Sequence, residues 1–278
     1  GIQAVPVWRK LRVAYFSTGD EILSLGESPR EGAVYDSNRY TVFGLLSRMG
    51  VEMIDMGVVR DEPQALEAAF SQAAAEADAI ITSGGVSAGD ADHTRIMMQR
   101  LAGDAGGGVV FWRIAMRPGR PMAVGLLPRP ARSLEGKSGI GPHGTSMDSY
   151  TFNSTSHIMR GPARDHAVLF GLPGNPVAVM VTFLAFVRPA LLQMMGCTQT
   201  ALPLLKAKSS DAISKKAGRT EYQRGIVSTS SAGTLQVRLT GSQGSGMLSS
   251  MTQANGLIVL HHDQGNVLAG DEVDVMMF

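Results

Sequence analysis

Thr82-Ser83-Gly84-Gly85-Val86-Ser87-Ala88-Gly89-Asp90-Ala91-Asp92 follows a short apolar run at 78–82 and leads into a helical pattern at 92–101. A strand, a glycine-rich loop and a helix in that order are the unit of an α/β sheet, in which ligands bind beyond the carboxyl ends of the strands. Glycines let backbone N–H groups approach a ligand closely, and the helix N-terminus adds partial positive charge. Ser83 and Ser87 contribute hydroxyl donors. Asp90 and Asp92 contribute carboxylates, which beside a phosphate pocket call for a cation or a proton transfer. A tight turn with Asp92 as helix cap is the plainer alternative.

A second loop has the same grammar. Gly171-Leu172-Pro173-Gly174-Asn175-Pro176 joins a run at 167–170 to an apolar helical stretch at 176–195. Two prolines stiffen it, and Asn175 ahead of Pro176 reads as a cap. Alone, this loop fits an anion cradle and a mere tight turn equally. Two such loops in one sheet favour a site for a phosphate-bearing small molecule.

Outward from these loops, strands and helices alternate between 11 and 196. Strands are expected at 11–16, 51–59, 78–82, 109–115, 122–127 and 167–170, and helices at 36–49, 63–77, 92–101 and 176–195. Tyr40, Phe43, Leu46 and Met49 fall on one helical stripe. Gly50 and Gly196 supply helix stops. The fold class is therefore α/β, a mostly parallel sheet with helices on both faces, over 1–200. From 201 to 278, short β-rich runs separated by Gly, Ser, Asn and Asp read as a small β-barrel-like domain. The 128–166 segment breaks the pattern with prolines, glycines and mixed charge. It reads as a disordered surface insertion, with a lid or partner-docking segment as the alternative.

Bulk properties exclude several classes. Apolar residues make up 44% and charged residues 18% of 278, with a net charge of +1. That balance suits a globular core and gives no reason to expect a nucleic-acid partner. The apolar stretch at 177–187 is too short to span a bilayer. One cysteine, Cys197, excludes an internal disulfide and a multi-cysteine metal site, and a cytoplasmic setting fits.

Other chemistry-bearing residues flank the loops. Ser17-Thr18-Gly19-Asp20-Glu21 follows the first strand, and its adjacent carboxylates suit Mg²⁺ or water, or else solvate a turn. Asp61 ends the second strand. Arg113, Arg117 and Arg120 cluster at a Pro-Gly turn, where guanidinium forks match oxyanion geometry or simply flank a hairpin.

Taken in order, Ser17 to Glu21, Tyr35-Asp36-Ser37-Asn38, the 83–92 loop, Arg117-Pro118-Gly119-Arg120-Pro121, the 171–176 loop and Gly241-Ser242-Gln243-Gly244-Ser245 resemble the MoeA family. These are molybdopterin molybdenumtransferases, also found as the C-terminal part of gephyrin, and the resemblance covers nearly the whole chain. The Pro-Gly-Asn-Pro loop alone is shared with molybdopterin adenylyltransferases. The longer glycine-serine-aspartate loop and the β-rich tail separate the two.

The resemblance implies molybdenum cofactor biosynthesis: molybdate enters the dithiolene of adenylylated molybdopterin, Mg²⁺ assists, and AMP is released. By it, Glu21, Asp61 and Asp92 match acidic, metal-holding positions, with Asp92 foremost. Thr18, Ser83, Gly84, Gly85, Ser87, Gly89, Pro173, Gly174, Asn175 and Pro176 would bind substrate. Arg113 and Arg117 stand where relatives often carry lysines and would take molybdate or phosphate, and Ser245 would face the anion site. The family's N-terminal domains, which dimerise and cover the partner's active site, normally precede 5–10. The sequence therefore reads as a fragment of a homodimeric protein that contacts other enzymes of the pathway. An adenylyltransferase and a non-catalytic, gephyrin-type scaffold are the alternatives.

Overall fold

The computed structural model of the chain describes residues 1–5, 7–86, 93–103, 108–129, 165–244 and 246–278. The chain begins with β1 (Arg12–Thr18), a short paired β2 (Ile22–Leu23) and β3 (Val34–Tyr35), α1 (Ser37–Ser47), β4 (Glu52–Val59) and α2 (Pro63–Glu76). It continues through β5 (Ala79–Ser83), α3 (His93–Gly103), β6 (Val109–Arg113), β7 (Met116–Arg117), β8 (Pro121–Pro128) and β9 (His166–Leu172). A six-stranded sheet in the order β4-β1-β5-β9-β8-β6 results. Its first four strands are parallel, and β8 runs antiparallel to both β9 and β6.

Every residue of β5 is buried, which fits the consecutive apolar Ala79, Ile80 and Ile81: a central parallel strand is covered on both faces, and the buried Thr82 and Ser83 stand at its carboxyl end. On one face Leu66 and Phe70 of α2 and Met97 and Met98 of α3 pack on Phe16 and Ile80. On the other, Val42 and Leu46 of α1 join Val179, Phe183 and Leu191 against Tyr15, Ile81 and Phe170. The helical stripe on α1 differs from the expected one. Tyr40 and Phe43 are 49% and 52% exposed, and the buried face is Asn38, Val42 and Leu46. A polar residue occupies the first of those positions because it finds hydrogen bonds there.

The long apolar helix is interrupted. α4 (Pro176–Thr182) passes through a π-helical segment, Phe183–Val187, into α5 (Arg188–Met194). Pro189 lacks an N–H, and the Arg188 N–H reaches back to the Phe183 carbonyl, widening the turn. Pro176–Met194 is 19 residues long with mean hydropathy 1.8, so by length and composition it is long enough to cross a membrane, unlike the 177–187 stretch alone. Val177, Val179, Val181, Phe183, Val187 and Leu191 are fully buried, the condition of a core helix. Asn175 stands at the expected N-cap position but makes no side-chain cap bond.

The remainder is β10 (Leu204–Ser209), β11 (Thr220–Thr229), β12 (Leu235–Leu239), the short α6 (Leu248–Gln253), β13 (Gly256–Leu260) and β14 (Glu272–Met277). The order β12-β10-β14-β13-β11, with β11 pairing again with β12, closes a five-stranded barrel. β7 adds to it in parallel with β11, Met116 opposite Thr220 and Arg117 opposite Glu221. The two sheets are thus tied together by a loop that leaves the α/β sheet and returns to it.

The end of the α/β sheet where the parallel strands begin carries a buried ionic clamp. Asp78 accepts two 2.6 Å bonds from Arg9, one of 3.0 Å from the Arg12 N–H and one of 2.8 Å from Arg129. Burial alone raises its pKa, but the two guanidinium groups and the N–H outweigh burial and hold the carboxyl well below the usual carboxylate range. At the same end, β8 and β9 stay paired to Pro128 opposite His166, and the Arg129 N–H donates to the Asp165 carbonyl at 2.8 Å. The first and last residues of the expected 128–166 insertion are therefore strand residues. Residues 130–164 lie outside the described ones.

Candidate functional site

β1, β5 and β9 end side by side, Ser17 opposite Ser83 and Ser83 opposite Leu172, so the loops that follow emerge together. The Gly84 N–H donates to the Leu172 carbonyl at 3.1 Å, binding the first glycine loop to the base of the second. Local packing dictates the two glycines. At Gly84 (φ +95°) a Cβ would stand 2.4 Å from the Thr18 carbonyl oxygen, and at Gly85 (φ +63°) 2.3 Å from the Thr94 Cβ.

A cleft of about 480 Å³ separates these loops from the barrel. Gly84, Gly85 and Val86 line it on one side with Pro173, Gly174 and Asn175. Tyr222, Gln223, Arg224 and Gln243 line it from the barrel, and the Arg117-Pro118-Gly119 turn, with a cis peptide before Pro118, lies between. Rigid proline and glycine walls on one side, with polar and cationic side chains on the other, suit a small anionic ligand.

Arg224 is the electrostatic centre of the cleft. Only 1% of it is exposed. Its Nε donates to the Ser250 hydroxyl at 2.9 Å, and its Nη2 to the carbonyls of Ser242 and Gly244 at 3.2 and 2.9 Å. Gln243 clasps its backbone both ways, at 2.8 and 3.1 Å. Burial, and then the charge of Arg117, push its pKa down. The guanidinium is thus held by one hydroxyl and two carbonyls, has Arg117 as a neighbouring cation, and forms no ion pair among the described residues, so it lends positive charge to the barrel side of the cleft. Glu221, also on the cleft, is already paired with Arg219 at 2.8 Å.

The predicted residues fall into several groups. Gly84, Gly85, Arg117, Pro173, Gly174, Asn175 and the exposed Glu21 line the cleft. Ser83 turns its hydroxyl beneath the loop, 2.8 Å from the Tyr15 hydroxyl and 3.1 Å from that of Ser17. Thr18 bonds Thr94 at 3.2 Å, and Thr94 donates to Asp61 at 3.1 Å, so Asp61 is fixed behind the first loop. Pro176 opens α4. Arg113, exposed at the end of β6 opposite Pro121, and the exposed Arg120 do not line the cleft. Ser87, Gly89, Asp92 and Ser245 lie outside the described residues. Among those described, no group of three His, Cys, Asp or Glu is arranged to hold a metal.

Sequence reasoning pointed to the barrel through the 241–245 motif, whose Gln243 lines the cleft, but it missed Tyr222, Gln223 and Arg224. The signal for them was present: Glu221 and Arg224 are charged residues inside a β-rich run, and both are buried. Which element they would face was not readable, because the contact joins residues about a hundred positions apart.

Comparison with known proteins gives the family and the fold. Residues 14–193 match the family described as "Probable molybdopterin binding domain", and residues 206–278 match "MoeA C-terminal region (domain IV)". The chain is 34% identical to the molybdopterin molybdenumtransferase of Haemophilus influenzae over 279 residues, covering all of this chain and 59% of that protein. It is 28% identical to gephyrin of Dictyostelium discoideum, covering all of this chain and 38% of that one. It spans between half and two thirds of the length of several curated relatives. The crystal structure of a molybdopterin biosynthesis MoeA protein from Pyrococcus horikoshii has the same fold, with a TM-score of 0.68 at 24% identity over 97% of this chain and 55% of that one. The matched α/β region spans more than half of the sequence, and the chain belongs to the molybdopterin-binding domain family.

Proposed function

We propose that this chain forms the catalytic part of a molybdopterin molybdenumtransferase, which takes adenylylated molybdopterin and molybdate and releases AMP. The observation that carries the reading is one cleft lined on one side by two glycine loops and on the other by Arg117 and the buried Arg224, which has no ion-pair partner among the described residues. Backbone N–H groups of the loops suit the phosphates, and the guanidinium pair suits a tetrahedral oxyanion. Tyr222 and Gln243 add polar contacts from the barrel.

Glu21 opens a carboxylate into the same cleft, and oxygen donors of that kind suit Mg²⁺. Glu21, Asp61 and Asp92 would hold the ion, which would supply Lewis-acid stabilisation of charge on the phosphates. Arg113 would extend the cationic rim, and Ser87, Gly89 and Ser245 would add contacts to the ligand. We further propose that the whole protein is a cytoplasmic homodimer in contact with other enzymes of cofactor synthesis.

The test uses the full-length protein with molybdopterin-AMP, molybdate and Mg²⁺. Molybdate-dependent AMP release is expected, and Arg224→Met should lower kcat/KM at least about a hundredfold, as removal of a preorganised charge donor does. ATP-dependent adenylylation of molybdopterin would favour the adenylyltransferase reading instead. An Arg224→Met protein as active as the parent would overturn the assignment of the oxyanion site.

A further inference from the structure

Asn38 is the one polar residue on the buried face of α1, 6% exposed and in line with Val42 and Leu46. An apolar side chain would satisfy that packing. Its Nδ2 instead donates to the Gly174 carbonyl at 2.8 Å, across 136 positions of sequence, and points toward the Ser83 hydroxyl at 3.4 Å. Because a carbonyl only accepts, the Gly174 bond fixes which way the amide faces. Ser83 is itself anchored: its hydroxyl, that of Ser17 and the phenol of Tyr15 form a closed ring with edges of 2.8, 2.8 and 3.1 Å. Burial, then the nearby Asp36, push the Tyr15 phenol up, so the ring stays neutral at physiological pH.

One amide therefore spans a rigid base and the second glycine loop. The Asn38 Oδ1 is buried without a hydrogen-bond partner among the described residues. An orphan acceptor is a standing cost, and an apolar residue would avoid it. Its retention makes sense where the N–H is needed. Gly174 itself is exposed, and a second direct link between the loops is the Gly84 N–H to Leu172 bond.

We propose that Asn38 is a positioning residue that sets the spacing of the 173–175 loop against Gly84 and Gly85, and through it the affinity of the cleft for a nucleotide phosphate. The claim about affinity rests on the function proposed above, whereas the claim about the loop does not.

The experiment compares full-length protein with Asn38→Leu, which keeps an apolar body of similar size, and Asn38→Asp, which keeps the shape and loses the donor. Amide hydrogen exchange of the unliganded protein is read over 171–176, over β1 and over β5, alongside Tm and the Kd for AMP. Both variants should exchange 171–176 at least about tenfold faster, the equivalent of one net hydrogen bond, with β1 and β5 unchanged. The Kd for AMP should rise by a similar factor. Unchanged exchange at 171–176 would overturn the proposal, as would a uniform rise across the sheet, which marks general destabilisation. Faster exchange confined to the loop, in a protein that never binds AMP, would uphold the positioning role and sink the proposed function.

Discussion

The two glycine loops look alike in sequence and are glycine-rich for different reasons. In the first, Gly84 and Gly85 have left-handed backbones, and any Cβ would collide with Thr18 or Thr94. In the second, Gly174 is exposed, its φ is not left-handed, and a Cβ there would meet only the Gly84 Cα at 3.8 Å, an ordinary contact. The fold demands the first pair, and it demands Gly171 at the start of the second loop, where a Cβ would stand 2.7 Å from Val86, but it does not demand Gly174. Gly174 lines the cleft, so its missing side chain widens the cleft rather than making room for a neighbour. A glycine motif is thus two motifs, one architectural and one reserved for whatever binds.

The most forceful way to break this contrast is Gly85→Ala. Left-handed strain and overpacking together predict a loss of about 4 kcal/mol, and a Tm lower by roughly 8–16 °C. A variant that melts with the parent would remove the architectural half of the argument.

The clamp at the far end of the sheet sharpens the contrast, because its charges are already paired. Asp78→Asn should cost about 3 kcal/mol, toward the low end for a broken buried pair since Arg9 is 47% exposed, and leave the Kd for AMP unchanged. The pH dependence follows from the depressed pKa. The stabilisation is fully present above the unfolded-state value of about 4 and declines as the pH falls below it toward the folded-state value. Acid unfolding of parent and variant should therefore converge at low pH. A gap that persists undiminished below pH 2 would assign the stabilisation to something other than the carboxylate.

Gly174→Ala is the smaller and more diagnostic change. Its Tm should stay level or rise slightly, since the loop loses freedom only in the unfolded chain. Calorimetry should show AMP binding weakened about tenfold, or about 1.4 kcal/mol. Undiminished binding would leave the second glycine without a functional reason. The smallest effect is expected from replacing 130–164 by an Asn-Gly turn, which suits a two-residue hairpin. Because that segment departs from the strand ends opposite the cleft, AMP affinity should not change by more than about twofold.

The alternation of strands and helices was legible because buried parallel strands carry short consecutive apolar stretches, as Ala79 to Ile81 do in β5, and because prolines and glycines mark element ends. The two-residue β7 was not legible, since its pairing is set by a barrel strand a hundred residues later. The helical stripe of α1 misled for a related reason: Tyr40 and Phe43 are apolar yet face outward, whereas Asn38 is polar yet buried by a partner far along the chain. At the site, the loops and Arg117 were readable from local chemistry. Arg224 was not, because an arginine in a β run declares its importance only when the strand is folded against a cleft.

The bond between Arg129 and Asp165 closes the β8–β9 ladder before the intervening segment begins. Lengthening chain between ends already joined costs only about 0.6 kcal/mol per doubling. That junction is a socket: a tag, a reporter domain or a tether grafted between Arg129 and Asp165 would ride on the molecule with the cleft left free on the other side.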